Sequence, residues 1–481
     1  MVSGSQNLDN IKKPDTWKLW TQKRYVLTFL VFLGYFNIYC LRTNMSIGIV
    51  AMTQDRVITL SNGTNLIVVA EFDWDNVLQG YVLSSFFYGY MVTQLLGGIL
   101  GRKFGGKLIF GGGIASTAFI TVISPWLAEW SVYALIVSRI LMGLFEGVTF
   151  SSLFTLWIKW LPPNERARCM AQVNSGSYTG AIFAMMVLAY LADAAGWRSI
   201  FWLSGGLGLV WFVAWLYLVS ESPDTDPTIT PEELNYIKSN RKESTKRQNF
   251  RDIRWTNIIT SKAAWSLHVL FFCESWGFYT LLTQLPKYFK DIFAFDISKS
   301  GVLSAIPYVA LALMMQLSGV LLDKITRWLS TTNARKLFVL IGFLAQTGFM
   351  LGAAFGNAVA LTVFCLTMAV GLGSMSIAVM TVNSLDIAPL HSGILFGIAN
   401  TIGTSTGIIS PIAAGYIIST ENPTIEQWRI IFYMSAGIYL FGAMIYGLFG
   451  SGTRQDWDYE SEKNVIKYQK SSPKIFLSNK T

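Results

Sequence analysis

A succession of long apolar tracts constrains this chain more than any other feature of its sequence. Six tracts precede one polar interruption and six follow it, over residues 25–52, 77–100, 108–127, 130–158, 170–192, 198–220, 263–285, 299–322, 337–356, 358–383, 394–419 and 430–450. Each reaches the roughly 20 residues that a helix needs to cross a bilayer. Charged residues make up 14% of the chain, against roughly 25% in soluble domains. The sequence therefore predicts an all-α polytopic membrane protein with twelve transmembrane helices in two six-helix lobes.

The polar interruption divides the chain into parts that we expect to differ in structure. They are a cytoplasmic N-terminal tail (1–24), an N-terminal lobe (25–220), a cytoplasmic linker (221–262), a C-terminal lobe (263–450) and a cytoplasmic C-terminal tail (451–481). Two short motifs recur at corresponding places of the lobes, because 98–103 is similar to 319–324 and 197–201 to 428–432. Such parallel repeats are typical of two-lobed carriers whose binding site lies between the lobes.

The charges of the loops predict the orientation in the membrane. Lys and Arg residues concentrate in the N-terminal tail, in the loops after the second and fourth tracts, and in the linker. An excess of these residues marks cytoplasmic loops. The loop 53–76 is acidic instead and contains Asn62 in a glycosylation sequon, which requires exposure to the lumen or the exterior. We therefore expect both termini to be cytoplasmic and Asn62 to be glycosylated.

One segment of the linker has the pattern of a helix. Residues 231–241 follow Thr230, a suitable N-cap, and Glu233 stands at the capping-box position. The pattern fits a helix lying at the membrane surface, and a merely solvated linker fits equally well. The sequence leaves both interpretations open.

Several classes of function are not expected. The net charge of +9 would suit nucleic acid, but the basic residues are confined to tails and alternate loops rather than interleaved with aromatics. The four cysteines are isolated and give neither a disulfide framework nor a zinc spacing. Residues 101–107 resemble a phosphate-binding loop, yet Leu108 replaces the Ser or Thr and no strand precedes them. With no catalytic triad or metal set visible, we expect neither an enzyme nor a metal site.

Four ionisable residues stand within the apolar tracts: Arg42, Arg139, Glu146 and Glu274. Such residues cost at least a few kcal/mol in a bilayer, so those present are candidates for handling substrates or ions. Arg139 and Glu146 are seven residues apart, which places them on one helix face about 10 Å apart along the axis. Arg42 has Tyr35 and Tyr39 on its own face, a combination of cation and phenols that suits an anion.

Two interpretations of these residues remain open. In the first, Arg42 and Arg139 attract a substrate anion while Glu146 exchanges a proton during the cycle. In the second, an Arg–Glu pair braces the helices, and Arg139 supports Glu146. Glu274 has no obvious cationic partner in its own half. It is expected to bind a proton or sodium, or to pair across the lobes.

Seven segments together resemble one family of transporters. They are residues 40–44, 85–90, 139–150, 160–166, 276–280, 383–389 and 400–404. On these segments the chain resembles the anion:cation symporter family of the major facilitator superfamily, the group that includes sialin, the vesicular glutamate transporters and the sodium-phosphate cotransporters. Within the group it is most similar to invertebrate proteins described as inorganic phosphate cotransporters. The resemblance covers nearly the whole chain and implies the major facilitator fold.

The resemblance also implies roles for particular residues. It implies alternating access, with Arg42 contacting the substrate anion and Glu146 taking part in proton coupling. The residues and the resemblance together give the expected site residues: Arg42, Tyr39, Tyr35, Arg139, Tyr88 and Asn400 for the substrate, Glu146 and Glu274 for the coupling ion, and Gly98, Lys103, Asp323 and Lys324 for a gating loop.

The chain also departs from the family pattern. Leu83 stands where vesicular glutamate transporters have a histidine, and Glu274 where they have an arginine. The usual proline is Ser151, and the loop aspartate of the first repeat is Arg102, although Asp323 is retained in the second. Because an acid replaces the second cation for the substrate, glutamate is not the expected substrate.

The sequence thus predicts proton- or sodium-coupled symport of a small anion, either inorganic phosphate or an organic anion. An anion channel or an uncoupled conductance through the same central cavity is the alternative. We expect no cofactor beyond the coupling ion, H⁺ or Na⁺. The expected partners are the small anion and the lipid bilayer, with no nucleic acid, and the protein is expected to be a monomer. The plasma membrane and lysosomal or vesicular membranes remain open.

Overall fold

A computed structural model describes residues 22–59, 65–94, 96–240, 255–356, 358–389, 391–420 and 423–458. Asn62, the predicted glycosylation site, lies outside these residues. The helices are α1 (Lys23–Thr53), α2 (Asn76–Thr93), α3 (Gly97–Phe104), α4 (Gly106–Trp130), α5 (Val132–Gly147), α6 (Thr149–Trp160), α7 (Pro163–Phe183), α8 (Ala189–Ala195), α9 (Arg198–Leu218), α10 (Pro231–Asn240), α11 (Trp255–Thr260), α12 (Lys262–Phe293), α13 (Ile297–Ile325), α14 (Thr331–Phe355), α15 (Val359–Ile387), α16 (Ser392–Ile417) and α17 (Ile425–Phe449). A π-helical segment, Ala184–Leu188, joins α7 to α8, and a 3₁₀ turn spans Pro223–Thr225.

The only strands among the described residues form a small antiparallel hairpin in the loop after α1. Strand β1 (Arg56–Thr59) pairs with β2 (Asn65–Val68), and Arg56 lies opposite Val68. The hairpin aside, the regular secondary structure of the described residues is helical.

Ten helices of the described chain are long and apolar enough to cross a membrane, counting α5 with α6 as one span, and the bent pair α2 and α3 supplies an eleventh. Helix α12 is not among these spans: its 32 residues are ample in length, but they include Lys262, Glu274, Lys287, Lys290 and Asp291. The predicted class of fold is therefore confirmed. The prediction of a single helix over residues 77–100 is wrong in one detail, because this span bends by 58° between α2 and α3.

Local sequence signals set where several helices begin and end. The side chains of Asp75, Ser261 and Asp296 cap α2, α12 and α13 by accepting hydrogen bonds from backbone N–H groups of the first turn. Gly105 ends α3 at φ 96°, a conformation that favours glycine.

Helices pack first within each half of the chain. In the N-terminal half α1 lies against α7 and α9, and α2 against α5. The α2–α5 contact is very close, because a Cβ added at Gly89 would lie 2.0 Å from the carbonyl oxygen of Ile140, and one at Gly143 would lie 2.0 Å from that of Phe86. In the C-terminal half α14 lies against α15 and α17, and α12 against α16. Small residues thus bring the helices near the site into backbone contact.

The two halves meet where α1 ends and α2 begins. The Asn76 side chain donates a hydrogen bond to the Ile418 carbonyl at 2.5 Å, and Gln54 donates to Asp291 at 2.7 Å. The Ser298 N–H donates to Asp193 at 2.7 Å. These contacts join α2 to the end of α16, α1 to α12, and α8 to α13. The space between the halves is therefore closed at this end, which we call the closed end.

The linker helix packs on the N-terminal half. Thr230 accepts a hydrogen bond from the Glu233 N–H at 3.3 Å, as the capping pattern predicts. Ile237 is buried in the same apolar cluster as Trp157 and Trp160. The Glu233 carboxylate accepts hydrogen bonds from the backbone N–H groups of Lys23 and Arg24. The interpretation as a merely solvated linker is thus wrong for α10, because its apolar face and one carboxylate are buried against the N-terminal half.

Candidate functional site

Arg42 and Glu146 form a buried ion pair between α1 and α5. The Arg42 Nη2 lies 2.6 Å from the Glu146 Oε1, and Nε donates to the same oxygen at 3.2 Å. Arg42 is 5% exposed and Glu146 0%. The second carboxylate oxygen of Glu146 has no hydrogen-bond partner within the described chain. The pair is therefore almost completely buried, and one carboxylate oxygen has no hydrogen-bond partner among the described residues.

Aromatic rings surround the Arg42 guanidinium. Its Cζ lies 4.9 Å from the ring centroid of Tyr39, 4.7 Å from that of Tyr90 and 5.2 Å from that of Phe86. The Phe87 ring is 6.0 Å away. Cation–π contacts of this kind hold a guanidinium where little water reaches it. Of these rings only Tyr39 was among the predicted site residues. The other three lie in the α2 segment 85–90, which the family resemblance had marked.

Arg139 is a second buried guanidinium without a full set of partners. It lies on α5, is 2% exposed, and its Cζ is 5.3 Å from the centroid of the Phe86 ring. Its Nε and Nη1 atoms have no hydrogen-bond partner among the residues that the structure describes. In that part of the chain the ion-pair partner of Glu146 is Arg42 and not Arg139. Arg139 thus forms no direct ion pair with Glu146 within the described chain but acts on that carboxylate electrostatically, so support of Glu146 and contact with a substrate both stay predictions for Arg139.

A small cavity lies beside the two arginines. Its lining residues are Arg42, Thr43, Ser46, Leu83, Phe87, Arg139, Leu282 and Thr283. Its volume of about 10 Å³ matches the minimum for one water molecule. Both halves contribute to the lining, because Leu282 and Thr283 belong to α12. The cavity thus lies between the halves, beside both guanidinium groups, and Leu83 makes part of its wall apolar.

Three other predicted substrate residues lie apart from this cluster. Tyr35 is 2% exposed and packs edge-on against Phe150 at 4.7 Å, as a core residue of the N-terminal half. Tyr88 is 40% exposed, on the face of α2 that also carries Tyr81. Asn400 is half-buried on α16, where its carbonyl accepts a hydrogen bond from Thr404. The structure therefore gathers Arg42, Tyr39, Arg139 and Glu146. Among the described residues, the other three make no hydrogen bond, ion pair or ring contact with Arg42 or Glu146, although Tyr35 lies one turn from Tyr39 on α1.

Glu274 has its partners within its own half. Its carboxylate contacts Ser376 of α15 at 2.6 Å and Gln346 of α14 at 3.2 Å. Within the described chain it forms no ion pair across the halves, so that alternative is wrong for this state. The reason is the direction of the Glu274 side chain, because both of its hydrogen-bond partners belong to helices of the C-terminal half.

The predicted gating residues lie on helices and not on loops. Gly98 and Lys103 belong to α3, and Asp323 and Lys324 to the last turns of α13. Lys103, Asp323 and Lys324 are exposed, whereas Gly97 and Gly101 are buried against α6. The glycines let α3 pack closely against α6 after the bend between α2 and α3. In the sequence, these glycines are the only signal for that bend.

Comparison with known proteins identifies the family to which this helical chain belongs. Residues 27–411 match the model of the Major Facilitator Superfamily. Sialin from Ovis aries is 37% identical over 461 residues, which are 92% of each chain. Vesicular glutamate transporter 1 from Xenopus tropicalis is 35% identical over 442 residues, covering 90% of this chain and 76% of that one.

Solved structures share the fold at low identity. A D-xylose-proton symporter matches with a TM-score of 0.69 and 16% identity, over 89% of this chain and 98% of that one. A bacterial homologue of the human lysosomal transporter Spinster, in an inward-facing and occupied conformation, matches with a TM-score of 0.67 and 14% identity, over 92% of this chain and 98% of that one. The family match, the identities and the fold agree: this chain is a multi-pass membrane transporter of the Major Facilitator Superfamily, in the group that contains sialin and the vesicular glutamate transporters.

Proposed function

We propose that this protein is a secondary active transporter that carries a small anion together with protons by alternating access. The observation that carries the proposal is the buried Arg42–Glu146 pair beside Arg139, whose donors are unfilled. The names of the relatives, sialin and vesicular glutamate transporter, support an anionic substrate.

The pair supplies a way to couple two ligands. While Glu146 is ionised, it occupies the Arg42 guanidinium at 2.6 Å. A proton on Glu146 removes that counter-charge and leaves two buried guanidinium groups without an anion. A buried unpaired charge is strongly unfavourable, so protonation favours the entry of a substrate anion. Substrate and proton then move together, because each makes the binding of the other more favourable.

The surroundings of the pair limit the substrate. Leu83 presents an apolar surface in the cavity wall, and Glu274 directs its carboxylate into the C-terminal half. Neither adds a cationic contact to those of Arg42 and Arg139. The proposal therefore favours inorganic phosphate or a monocarboxylate such as sialic acid over glutamate.

The closed end favours a carrier over the alternative, an anion channel. Contacts such as those of Asn76 with Ile418 and of Gln54 with Asp291 close one end of the space between the halves. A carrier needs one closed end at a time, whereas an open channel needs none. Only a carrier accumulates an anion against its electrochemical gradient.

Uptake into proteoliposomes tests the proposal. Labelled phosphate, sialic acid, urate and glutamate are offered under imposed pH and sodium gradients. We expect saturable, concentrative uptake of one anion under an inward proton gradient, and its loss in Arg42→Ala. The matched control is Arg327→Ala, because Arg327 is an exposed arginine far along the chain from the site. Full uptake in Arg42→Ala, or uptake that only equilibrates the anion, would refute coupled anion transport through this site.

The proposed orientation puts both termini in the cytoplasm and the closed end toward the lumen or the exterior. The basic tails and linker support it through the positive-inside rule. The plasma membrane and lysosomal or vesicular membranes are both compatible with the proposal, and localisation of the tagged chain in cells distinguishes them.

A further inference from the structure

The C-terminal half contains a buried acidic site of its own. Glu274 lies on α12 and is 4% exposed. Its Oε2 is 2.6 Å from the Ser376 Oγ, and its Oε1 accepts a hydrogen bond from the Gln346 Nε2 at 3.2 Å. Three helices thus converge on one carboxyl group.

No cation compensates this carboxyl group among the residues that the structure describes. Its immediate polar partners, Ser376 and Gln346, are neutral. The titratable groups that act on it electrostatically are Cys273 of α12, Tyr439 of α17 and Tyr178 of α7. A thiol and two phenols are neutral near pH 7. Burial without a counter-ion favours the neutral form of a carboxyl group.

The hydrogen-bond geometry also fits a protonated carboxyl group. The Ser376 Oγ is 2.6 Å from the Glu274 Oε2 and 2.7 Å from the carbonyl oxygen of Gly373. A serine hydroxyl has one hydrogen to donate, so it can donate to only one of these two acceptors. Both contacts become hydrogen bonds if Oε2 carries a proton and donates to Ser376, which in turn donates to Gly373.

Gly373 leaves the space in which the acid and the amide meet. A Cβ at this position would lie 2.4 Å from the Gln346 Nε2 and 3.1 Å from the Glu274 Oε1. Any larger residue would therefore displace the Gln346–Glu274 hydrogen bond. The hydrogen bond between Gln346 and Glu274 thus depends on a glycine at position 373.

We propose that Glu274, together with Gln346 and Ser376, is a second proton-binding site of this transporter, separate from the Arg42–Glu146 pair. The carboxylate takes up one proton from water and returns it to water later in the cycle, with no other bond changed. The inference rests on the proposed function only for the statement that this exchange belongs to a transport cycle. One consequence is that proton-driven accumulation depends on two acids, one in each half.

Infrared difference spectroscopy of the purified full-length protein tests proton binding without any substrate. Spectra are recorded as the pH is raised from about 5 to about 9, the range over which a buried carboxyl group can titrate. We expect a protonated-carboxyl band that disappears with rising pH, is absent in Glu274→Gln and remains in Glu146→Gln. In Ser376→Ala the band should remain but shift in frequency, because one hydrogen-bond partner is lost. The inference is wrong if Glu274→Gln removes no pH-dependent band, or if sodium at constant pH abolishes the band.

A transport measurement then tests coupling. Labelled phosphate and labelled sialic acid are the probes, in proteoliposomes with an imposed pH gradient. Glu274→Gln, a close mimic of the protonated acid, should retain exchange of the transported probe and lose proton-driven accumulation. Accumulation with the pH dependence of the wild type in this variant overturns the coupling role. If the wild type transports neither probe, the proposed substrate class fails, while the infrared result still decides whether Glu274 binds a proton.

Discussion

The carboxylate of Glu233 lies over the N-terminus of α1 and binds Arg24 twice. It accepts one hydrogen bond from the Arg24 backbone N–H and one from its guanidinium, each at 3.1 Å. The other oxygen accepts the Lys23 N–H at 2.9 Å. A carboxylate at a helix N-terminus satisfies donors that the helix cannot pair itself and complements the helix dipole. The linker thus fixes the start of the helix that carries Arg42.

Loss of this contact should destabilise the N-terminal half. We expect Glu233→Ala to lower the free energy of unfolding by about 3 kcal/mol, because it leaves the buried Arg24 with one partner fewer. Thermal unfolding of the purified protein in detergent measures the change. The control is Glu232→Ala, since Glu232 is an exposed neighbour on the same helix. Equal melting temperatures for the two variants would contradict the role of Glu233.

The Arg42–Glu146 pair predicts a non-additive effect on stability. Arg42→Met leaves Glu146 buried without its ion-pair partner, which costs about 3–5 kcal/mol in comparable buried pairs. The double variant Arg42→Met/Glu146→Gln removes both charges and should recover most of that loss. Melting temperatures of the four proteins of the cycle give the coupling energy. Additive losses would show that the two side chains do not depend on each other.

Arg139 should matter for affinity more than for stability. Because its Nε and Nη1 lack partners, Arg139→Met should change the free energy of unfolding by less than about 1 kcal/mol. The same variant should raise the KM for the transported anion by about tenfold or more. Arg335→Met is the contrast, because Arg335 is paired with Asp386 at 2.7 Å and its loss should destabilise. An unchanged KM in Arg139→Met would remove Arg139 from the substrate site.

The closed end should open when its closest backbone contact is disturbed. A Cβ at Gly415 would lie 2.5 Å from the carbonyl oxygen of Asn76, so Gly415→Leu should separate α16 from α2. We expect a cysteine placed at Thr283, in the small cavity, to react faster with a membrane-impermeant thiol reagent in this background. Gly437→Leu is the matched control, since no atom lies within 4 Å of its added Cβ. The same reaction rate in both backgrounds would contradict closure by this contact.

Glycosylation tests the proposed orientation. If the loop 53–76 faces the lumen or the exterior, the sequon at Asn62 is available to the glycosylation machinery. Treatment of the protein from a eukaryotic host with a deglycosylating enzyme should increase its gel mobility, and Asn62→Gln should abolish that change. A glycan found instead at a sequon introduced into the linker would reverse the orientation.

The sequence by itself determined the class of fold, a bundle of long apolar helices, and the identity of the ionisable residues that the helices bury. These features depend on local composition and on spacing along one helix. Arg139 and Glu146 do lie on one helix, α5, as their spacing required. The short α3 bend was missed because it depends on glycines packing against another helix, and an apolar tract looks the same whether it is straight or bent.

Only the tertiary structure decided which of these residues meet. Glu146 pairs with Arg42 from α1, and Glu274 turns to Gln346 and Ser376 within its own half. Tyr35 was expected beside Arg42 but lies in the core, while Phe86 and Tyr90 of α2 take places around the guanidinium. The periodicity of a helix fixes which of its residues share a face. The rotation of that face toward a neighbour follows from packing between segments distant in sequence, such as the close contact at Gly89 and Gly143.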